Sequence, residues 1–190
     1  MKTKKIKFTQ HPFKVQLFEG LFQFAWGCIK YIPTPLGDPI RSLFLRLILK
    51  KSRVPALWVR CGVDIWWPRR IEIGVSCINE NVFFNGFGGV KIGDHCLIGR
   101  GTSFFSGGHI FSNSNVPVIS QGLVAKPISV GDDVYFGLNC VILGGVTIAS
   151  GAVIAAGSVV VSDVPSNAVV AGSPAKIIRY RNDIKDDISY

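Results

Sequence analysis

Histidine is the side chain whose ordinary titration lies nearest neutral pH, and this sequence has few of them. Of its three histidines, His11 lies in a polar N-terminal arm. His95 sits in the turn Gly93-Asp-His-Cys96, where a lone histidine is usually solvated. His109 differs: it follows Gly107 and Gly108, which permit an unusual backbone path, and it opens a long irregular stretch. Of the three it is the one whose setting is unusual. The companion that would fix its tautomer is open. There is no carboxylate from Ile110 to Pro127, which leaves a backbone carbonyl, Ser112, Asn113, Asn115 or a carboxylate from elsewhere. Zinc is not expected, because a catalytic site needs three converging ligands and a structural one about four. The five cysteines (Cys28, Cys61, Cys77, Cys96, Cys140) form no C-x-x-C pair. Neither a G-x-S-x-G nor a Cys–His pairing points to a covalent intermediate.

The elements that must hold His109 are written in the repeat. From Val130 to Pro165 the chain reads as six uninterrupted hexapeptides: VGDDVY, FGLNCV, ILGGVT, IASGAV, IAAGSV and VVSDVP. Each opens on Val130, Phe136, Ile142, Ile148, Ile154 or Val160 and carries a small or β-branched residue four places later. A period of six is the mark of a β-helix, in which three hexapeptides make one coil. The first position points inward and the fifth sits at a tight corner. Cys96 and Cys140 fall on fifth positions and read as small buried hydrophobes. The register is already clear at Ile92, Ile98 and Phe104, while Val63-Asp-Ile65 and Ile71-Glu-Ile73 look like imperfect early rungs. Phe104 and Val130 are 26 residues apart, which is not a multiple of six. The excess is an excursion loop, residues 109–127, with His109 at its mouth.

This reading divides the chain into a helical cap or arm (1–58), a β-helix (59–171) and a C-terminal helix with a tail (172–190). Phe18, Leu21, Phe22 and Ala25 recur at helical spacing before Pro33 and Pro35. A second helix is expected from Asp38 to Lys51, with Asp38 as N-cap, Pro39 at the first position, and Ile40, Phe44, Leu47 and Ile48 as its apolar face. Solenoids need capped ends, and the same basic, aromatic-rich segment also suits an anionic membrane surface. Ala168 to Ala171 reads as a last strand, Ala175 to Arg181 as a short helix, and Lys185 to Tyr190 as a frayed tail. The net charge of +9 favours anionic partners, though no motif points to nucleic acid. The apolar stretch from Leu17 to Ile32 is broken by Glu19, Gln23 and Lys30 and is too short to span a bilayer. A cytoplasmic protein, possible at the inner face of the membrane, is the expectation.

An ordered set of motifs then carries a resemblance. They are Ile92-Gly-Asp94, Ser106-Gly-Gly-His109, Lys126-Pro-Ile-Ser-Val-Gly131, Val134-Tyr-Phe-Gly137, Leu143-Gly-Gly-Val-Thr-Ile148, Ala155-Ala-Gly-Ser158, Asp163-Val-Pro165 and Ala171-Gly-Ser-Pro-Ala-Lys176. Over residues 60–181 the chain resembles the hexapeptide-repeat acyltransferases, left-handed parallel β-helix enzymes that use acetyl-coenzyme A. It looks most like the galactoside and maltose O-acetyltransferases and their polysaccharide-modifying relatives. The resemblance implies an all-β solenoid and direct attack of a sugar hydroxyl on the thioester, with His109 as general base. It also implies a homotrimer with coenzyme A between subunits, and no resident metal. By the same resemblance Tyr135, Gly137, Ala156, Gly157, Lys176 and Arg179 would contact the cofactor, and Asn79, Asn81 and Asn85 the carbohydrate acceptor. The bland readings stand beside these: a solvated helix face for Lys176 and Arg179, and turn-forming asparagines. Val161-Ser162 replaces the family's usual Thr-Lys, so affinity would lean on Lys176, Arg179 or Arg181. N-acetylation of a nucleotide-linked amino sugar or a small xenobiotic is the alternative activity, and a scaffold that has lost catalysis is the non-enzyme reading.

Overall fold

The first residue of each hexapeptide settles where the core lies. Val130, Phe136, Ile142, Ile148, Ile154 and Val160 are each no more than 2% exposed, and Val134, Cys140, Val146, Ala152 and Ser158 are equally buried. The computed structural model describes residues 4–6, 12–49 and 58–183. It winds these positions into a left-handed parallel β-solenoid of about six turns. Three sheets form the faces of a triangular prism. The first face stacks Trp58–Val59, Cys77–Ile78, Leu97–Ile98, Tyr135–Phe136, Val153–Ile154 and Ala168–Gly172. The second stacks Asp64–Trp66, Phe83–Asn85, Ser103–Phe105, Val141–Leu143 and Val159–Val160. The third stacks Ile71–Ile73, Val90–Ile92, Ile128–Val130 and Thr147–Ile148.

Inside, side chains stack on their equivalents one coil away and meet side chains of the neighbouring face. Phe84 lies parallel to Phe104 at 4.9 Å between ring centroids, and Phe104 meets Phe136 edge-on at 5.3 Å. These separations are the favourable ones for aromatic pairs. Burial in the same interior pushes the Cys96 and Cys140 thiols above their ordinary range.

Two helices, α1 (Phe13–Ile29) and α2 (Gly37–Ile48), lie on the first coil. Trp26 donates its indole N–H to the Val63 carbonyl at 2.9 Å, and Gln23 donates to Ile65 at 2.6 Å. Phe22, Trp26 and Phe44 stack on one another. The apolar faces differ from the sequence expectation. Leu21, Ile40 and Leu47 are exposed, whereas Asp38, Arg41, Leu45 and Leu49 are buried. The reason is Arg41: its guanidinium donates to the carbonyls of Val59 and Ile32 and pairs with the Asp38 carboxylate. Arg60 holds the other carboxylate oxygen at 2.9 Å. Asp38 is therefore inside the helix, occupied by arginines and by Thr34, and does not serve as its N-cap.

Two further expectations change. Ala175–Tyr180 is not a helix but a strand, antiparallel to Ala168–Gly172. Its Ile-Ile-Arg-Tyr run suits a strand, and it covers an edge that the last coil would otherwise leave open. The arm before α1 contributes a strand, Lys4–Ile6, which pairs with Leu123–Ala125. His11, Lys50, Lys51 and the tail from 184 to 190 lie outside the described residues.

Candidate active site

The excursion leaves the prism at the vertex between the second and third faces, after Phe105, and returns at Ile128. Its root is sealed by backbone. The Lys126 N–H donates to the Ser106 carbonyl at 2.8 Å, and the Ser106 N–H donates to the Asn85 carbonyl at 3.2 Å. The fully buried Ser106 hydroxyl also donates to Asn85 and accepts from the Gly88 N–H. Beyond the root the chain forms a hairpin, with Gly107–His109 antiparallel to Leu123–Ala125 and His109 opposite Leu123. The expected loop 109–127 thus has a regular stem, and His109 is the last residue of its first strand, with an exposed side chain. Gly107 is needed for a different reason from the one expected. Neither Gly107 nor Gly108 has positive φ, but a Cβ on Gly107 would lie 2.6 Å from Cδ1 of Phe87, while Gly108 has open space around it.

The loop tip is tied by a residue the sequence reading passed over. Gln121 donates to the carbonyls of Asn113 and Val116, at 2.8 and 2.7 Å, and accepts from the Asn113 N–H. The Asn113 side chain accepts from the Asn115 N–H, so it serves the turn. Beneath His109, the same vertex carries an aromatic and cationic stack that was also missed. Phe87 packs under Gly107, Trp67 meets Phe87 edge-on at 5.7 Å, and the Arg70 guanidinium lies over both rings. Trp67 has φ 62°, in the left-handed region, and its N–H is held by the Glu19 carboxylate of α1 at 3.1 Å. Burial pushes Glu19 above its ordinary value despite that hydrogen bond and the nearby Arg70 and Arg69. These residues lie in the early coils, where the period of six is irregular and gives no register from which to place them.

Of the three asparagines proposed for the acceptor, one shares this vertex. Asn85 sits directly under the hairpin root. Asn79 and Asn81 lie at the vertex between the first and second faces. There Asn79 donates to the Ile98 carbonyl at 2.9 Å, and Asn81 turns the corner at φ 56°. His95 likewise occupies an exposed turn, at φ 60°.

The cofactor candidates gather on the first face and its edge. Tyr135 points outward and pairs with Val153, Val153 pairs with Val169, and Val169 with Arg179. Three strand steps of about 4.8 Å each therefore separate Tyr135 from Arg179 along one outward column. Lys176 pairs with Ala171, two residues from Val169. Residues two apart share a side of a strand, so the register shift between Val169 and Val170 brings Lys176 and Arg179 to the same outward side. Without it, residues three apart would face opposite ways. Gly157 (φ 71°) and Ala156 are exposed at the adjoining corner. Gly137 is buried: its N–H donates to Ile154 and its carbonyl accepts from Thr102. Its place is fixed by packing, since a Cβ there would lie 2.5 Å from the Ala156 nitrogen. Arg181 is spent on Asp133 at 2.7 Å and on the Gly151 carbonyl. That leaves Lys176 and Arg179 as exposed cations for phosphate. No group of three His, Cys, Asp or Glu among the described residues could hold a metal ion.

Comparison with known proteins matches this architecture. The family model described as the hexapeptide repeat of succinyl-transferase matches residues 127–162. A hexapeptide-repeat acetyltransferase of Vibrio cholerae, solved with acetyl-coenzyme A, is 31% identical with TM-score 0.76, over 91% of this chain and 92% of that one. A galactoside acetyltransferase solved with coenzyme A is 27% identical with TM-score 0.80, over 93% and 86%. A 2,3,4,5-tetrahydropyridine-2,6-dicarboxylate N-acetyltransferase of Staphylococcus aureus is 41% identical over 78 residues, which is 41% of this chain and 33% of that enzyme. The chain thus spans a third of the length of such curated relatives.

Proposed function

This chain belongs to the hexapeptide-repeat acetyltransferases, and we propose that it transfers acetyl from acetyl-coenzyme A to a sugar hydroxyl of a surface polysaccharide or its precursor. The observation that carries the reading is His109, an exposed imidazole at the end of a hairpin strand where the coil is interrupted. His109 takes the hydroxyl proton as the acceptor oxygen attacks the thioester carbonyl. The tetrahedral adduct collapses, the carbon–sulfur bond breaks, and the departing thiolate takes the proton from the imidazolium. The Trp67, Phe87, Arg70 and Asn85 cluster below His109 supports a sugar acceptor, offering an aromatic wall, a cation and an amide.

The assembly is part of the proposal. The vertex bearing His109 lies opposite the first face, so one prism cannot bring His109 and the Tyr135–Arg179 column to the same molecule. A neighbour can. The second face is apolar outward, with Trp66, Phe105 and Leu143 exposed, whereas the third presents Glu72, Lys91, Ser129 and Thr147. Packing the second face of one subunit against the first face of the next closes into a trimer. It lays each hairpin along the neighbour's cofactor column and leaves the third face in water. Acetyl-coenzyme A is a cytoplasmic metabolite, and we place the reaction there.

The test is thiol release from acetyl-coenzyme A by the purified protein with glycan acceptors. His109→Ala is expected to lower kcat by about 10²–10⁴-fold, and a variant that keeps the wild-type rate would overturn the assignment of the base. The similarity to an N-acetyltransferase favours one second reading, transfer to an amine, for instance on a nucleotide-linked amino sugar. Mass spectrometry of the product after hydroxylamine treatment separates the two, since an ester is cleaved and an amide survives.

A further inference from the structure

The helical cap has a second apolar side that no other described residue covers. On α1, Phe13, Leu17, Leu21 and Phe24 are all exposed, Phe13 and Phe24 by three-quarters. Their spacing of four, four and three places them on one stripe, on the helix side opposite the buried Phe22 and Trp26. On α2, Ile40, Leu43 and Leu47 repeat the pattern, on the side away from Arg41 and Leu45. Isolated surface leucines need no explanation, but a stripe of four on α1 and of three on the adjacent α2 is the kind of exposed apolar surface that marks an interaction site.

The charge distribution names what meets it. Residues 1–57 carry eleven Lys and Arg against two acidic residues, Glu19 and Asp38, whereas residues 58–190 carry ten against ten. The whole net charge of +9 therefore belongs to residues 1–57. Part of it goes with the strand Lys4–Ile6 on the hairpin, and Arg41 is buried against Asp38, which leaves Lys14 and Arg46 within the two helices and the basic run after α2. Lys14 lies beside Phe13, and Lys50, Lys51 and Arg53 follow α2 directly in sequence. An acidic protein or a nucleic acid would answer the charge but not two rows of Phe and Leu. A bilayer with anionic headgroups answers both, because apolar side chains enter the acyl boundary while cations stay at the surface. No helix of the described residues is long and apolar enough to cross a membrane, so the geometry is that of helices lying in the interface. We propose that α1 and α2 dock this protein peripherally on an anionic lipid surface. The docking is independent of the reaction proposed above, since none of the stripe residues is placed in the transfer; Glu19, the one α1 residue that supports the site, holds Trp67 from the opposite side of the helix.

The experiment is flotation of the full-length protein with vesicles of phosphatidylcholine alone or with a third phosphatidylglycerol. Binding to the anionic vesicles should exceed that to the neutral ones by about tenfold or more, and should fall in about 0.5 M salt. Replacing Leu17, Leu21 and Phe24 together by Ser should cut binding about tenfold, with thermal melting and acetyl transfer to a soluble acceptor unchanged. If that variant folds poorly, Lys50→Gln with Lys51→Gln and Arg53→Gln gives a second reading, reduced anionic binding with an unaltered apolar stripe. Equal binding to both vesicle types, no binding of the wild type, or unaltered binding by both variants overturns the proposal. So does a wild-type assembly that shrinks in sedimentation when the stripe is replaced, which would assign the face to a second copy of the chain.

Discussion

If His109 of one subunit serves the cofactor column of its neighbour, two crippled variants should rescue each other. His109→Ala removes the base but leaves the first face intact. Lys176→Glu combined with Arg179→Glu spoils the outward cations but leaves the hairpin intact. Each charged hydrogen bond lost is worth about 1.5–3 kcal/mol, so the second variant should bind acetyl-coenzyme A about two to four decades more weakly. Either protein alone is then nearly inactive at low acetyl-coenzyme A. In a trimer assembled at random from equal amounts of both, a site works only when its hairpin comes from the second variant and its column from the first. That happens for about one site in four. Co-expressing the two with different tags and purifying the mixed assemblies should therefore recover about a quarter of the wild-type rate. Unmixed proteins combined after assembly should recover none until the subunits exchange. Mixed trimers with no activity above the sum of the parents would refute the opposed-vertex argument and place His109 and its cofactor on one chain.

Two smaller perturbations probe the supports of the site. Gly107→Ala places a methyl group against Phe87 and should cost about 1–3 kcal/mol of stability as well as lowering kcat. Gly108→Ala, with open space around it, should change stability by no more than about 0.5 kcal/mol, and urea unfolding of the pair checks the contrast. Glu19 holds its proton more tightly in the folded than in the unfolded chain, because burial raises its pKa above 4.5. Its contribution is therefore full below that value and is lost as pH rises through the folded pKa. Glu19→Gln keeps an acceptor for the Trp67 N–H and removes this loss. Its unfolding free energy should fall less than that of the wild type between about pH 4 and 7, and identical slopes would show that the Glu19 proton does not matter.

The parts of the molecule that were legible in the sequence are those governed by local repetition. First-position residues from Val130 to Val160 point inward because each meets an equivalent residue one coil away, and a period of six records that contact directly. The position of His109 at the interruption was legible for the complementary reason, as the place where the period fails. The missed features depend on partners far along the chain. Nothing local in the sequence marks Arg41 for burial, because the carbonyl of Val59 that receives it lies eighteen residues on. A helix is expected from Ala175 to Arg181 because a short run has no period of its own, and the open strand edge that Ala175–Tyr180 covers is a tertiary fact. Trp67 and Phe87 belong to early coils whose spacing drifts, so no register placed them under Gly107.

The sealed root of the hairpin has an engineering consequence. Ser106 and Lys126 meet across a single backbone hydrogen bond, and the strands on either side, Ser103–Phe105 and Ile128–Val130, pair with the coils above and below without using residues 110–122. The third turn thus treats the segment between the two stem strands, residues 110–122, as a replaceable cassette. Lengthening, shortening or exchanging the segment beyond His109 would redraw the wall around an acceptor without disturbing a single interior column. A scaffold of this kind can diverge in specificity by swapping one contiguous stretch of sequence, and a library confined to that stretch is the economical place to look for new acceptors.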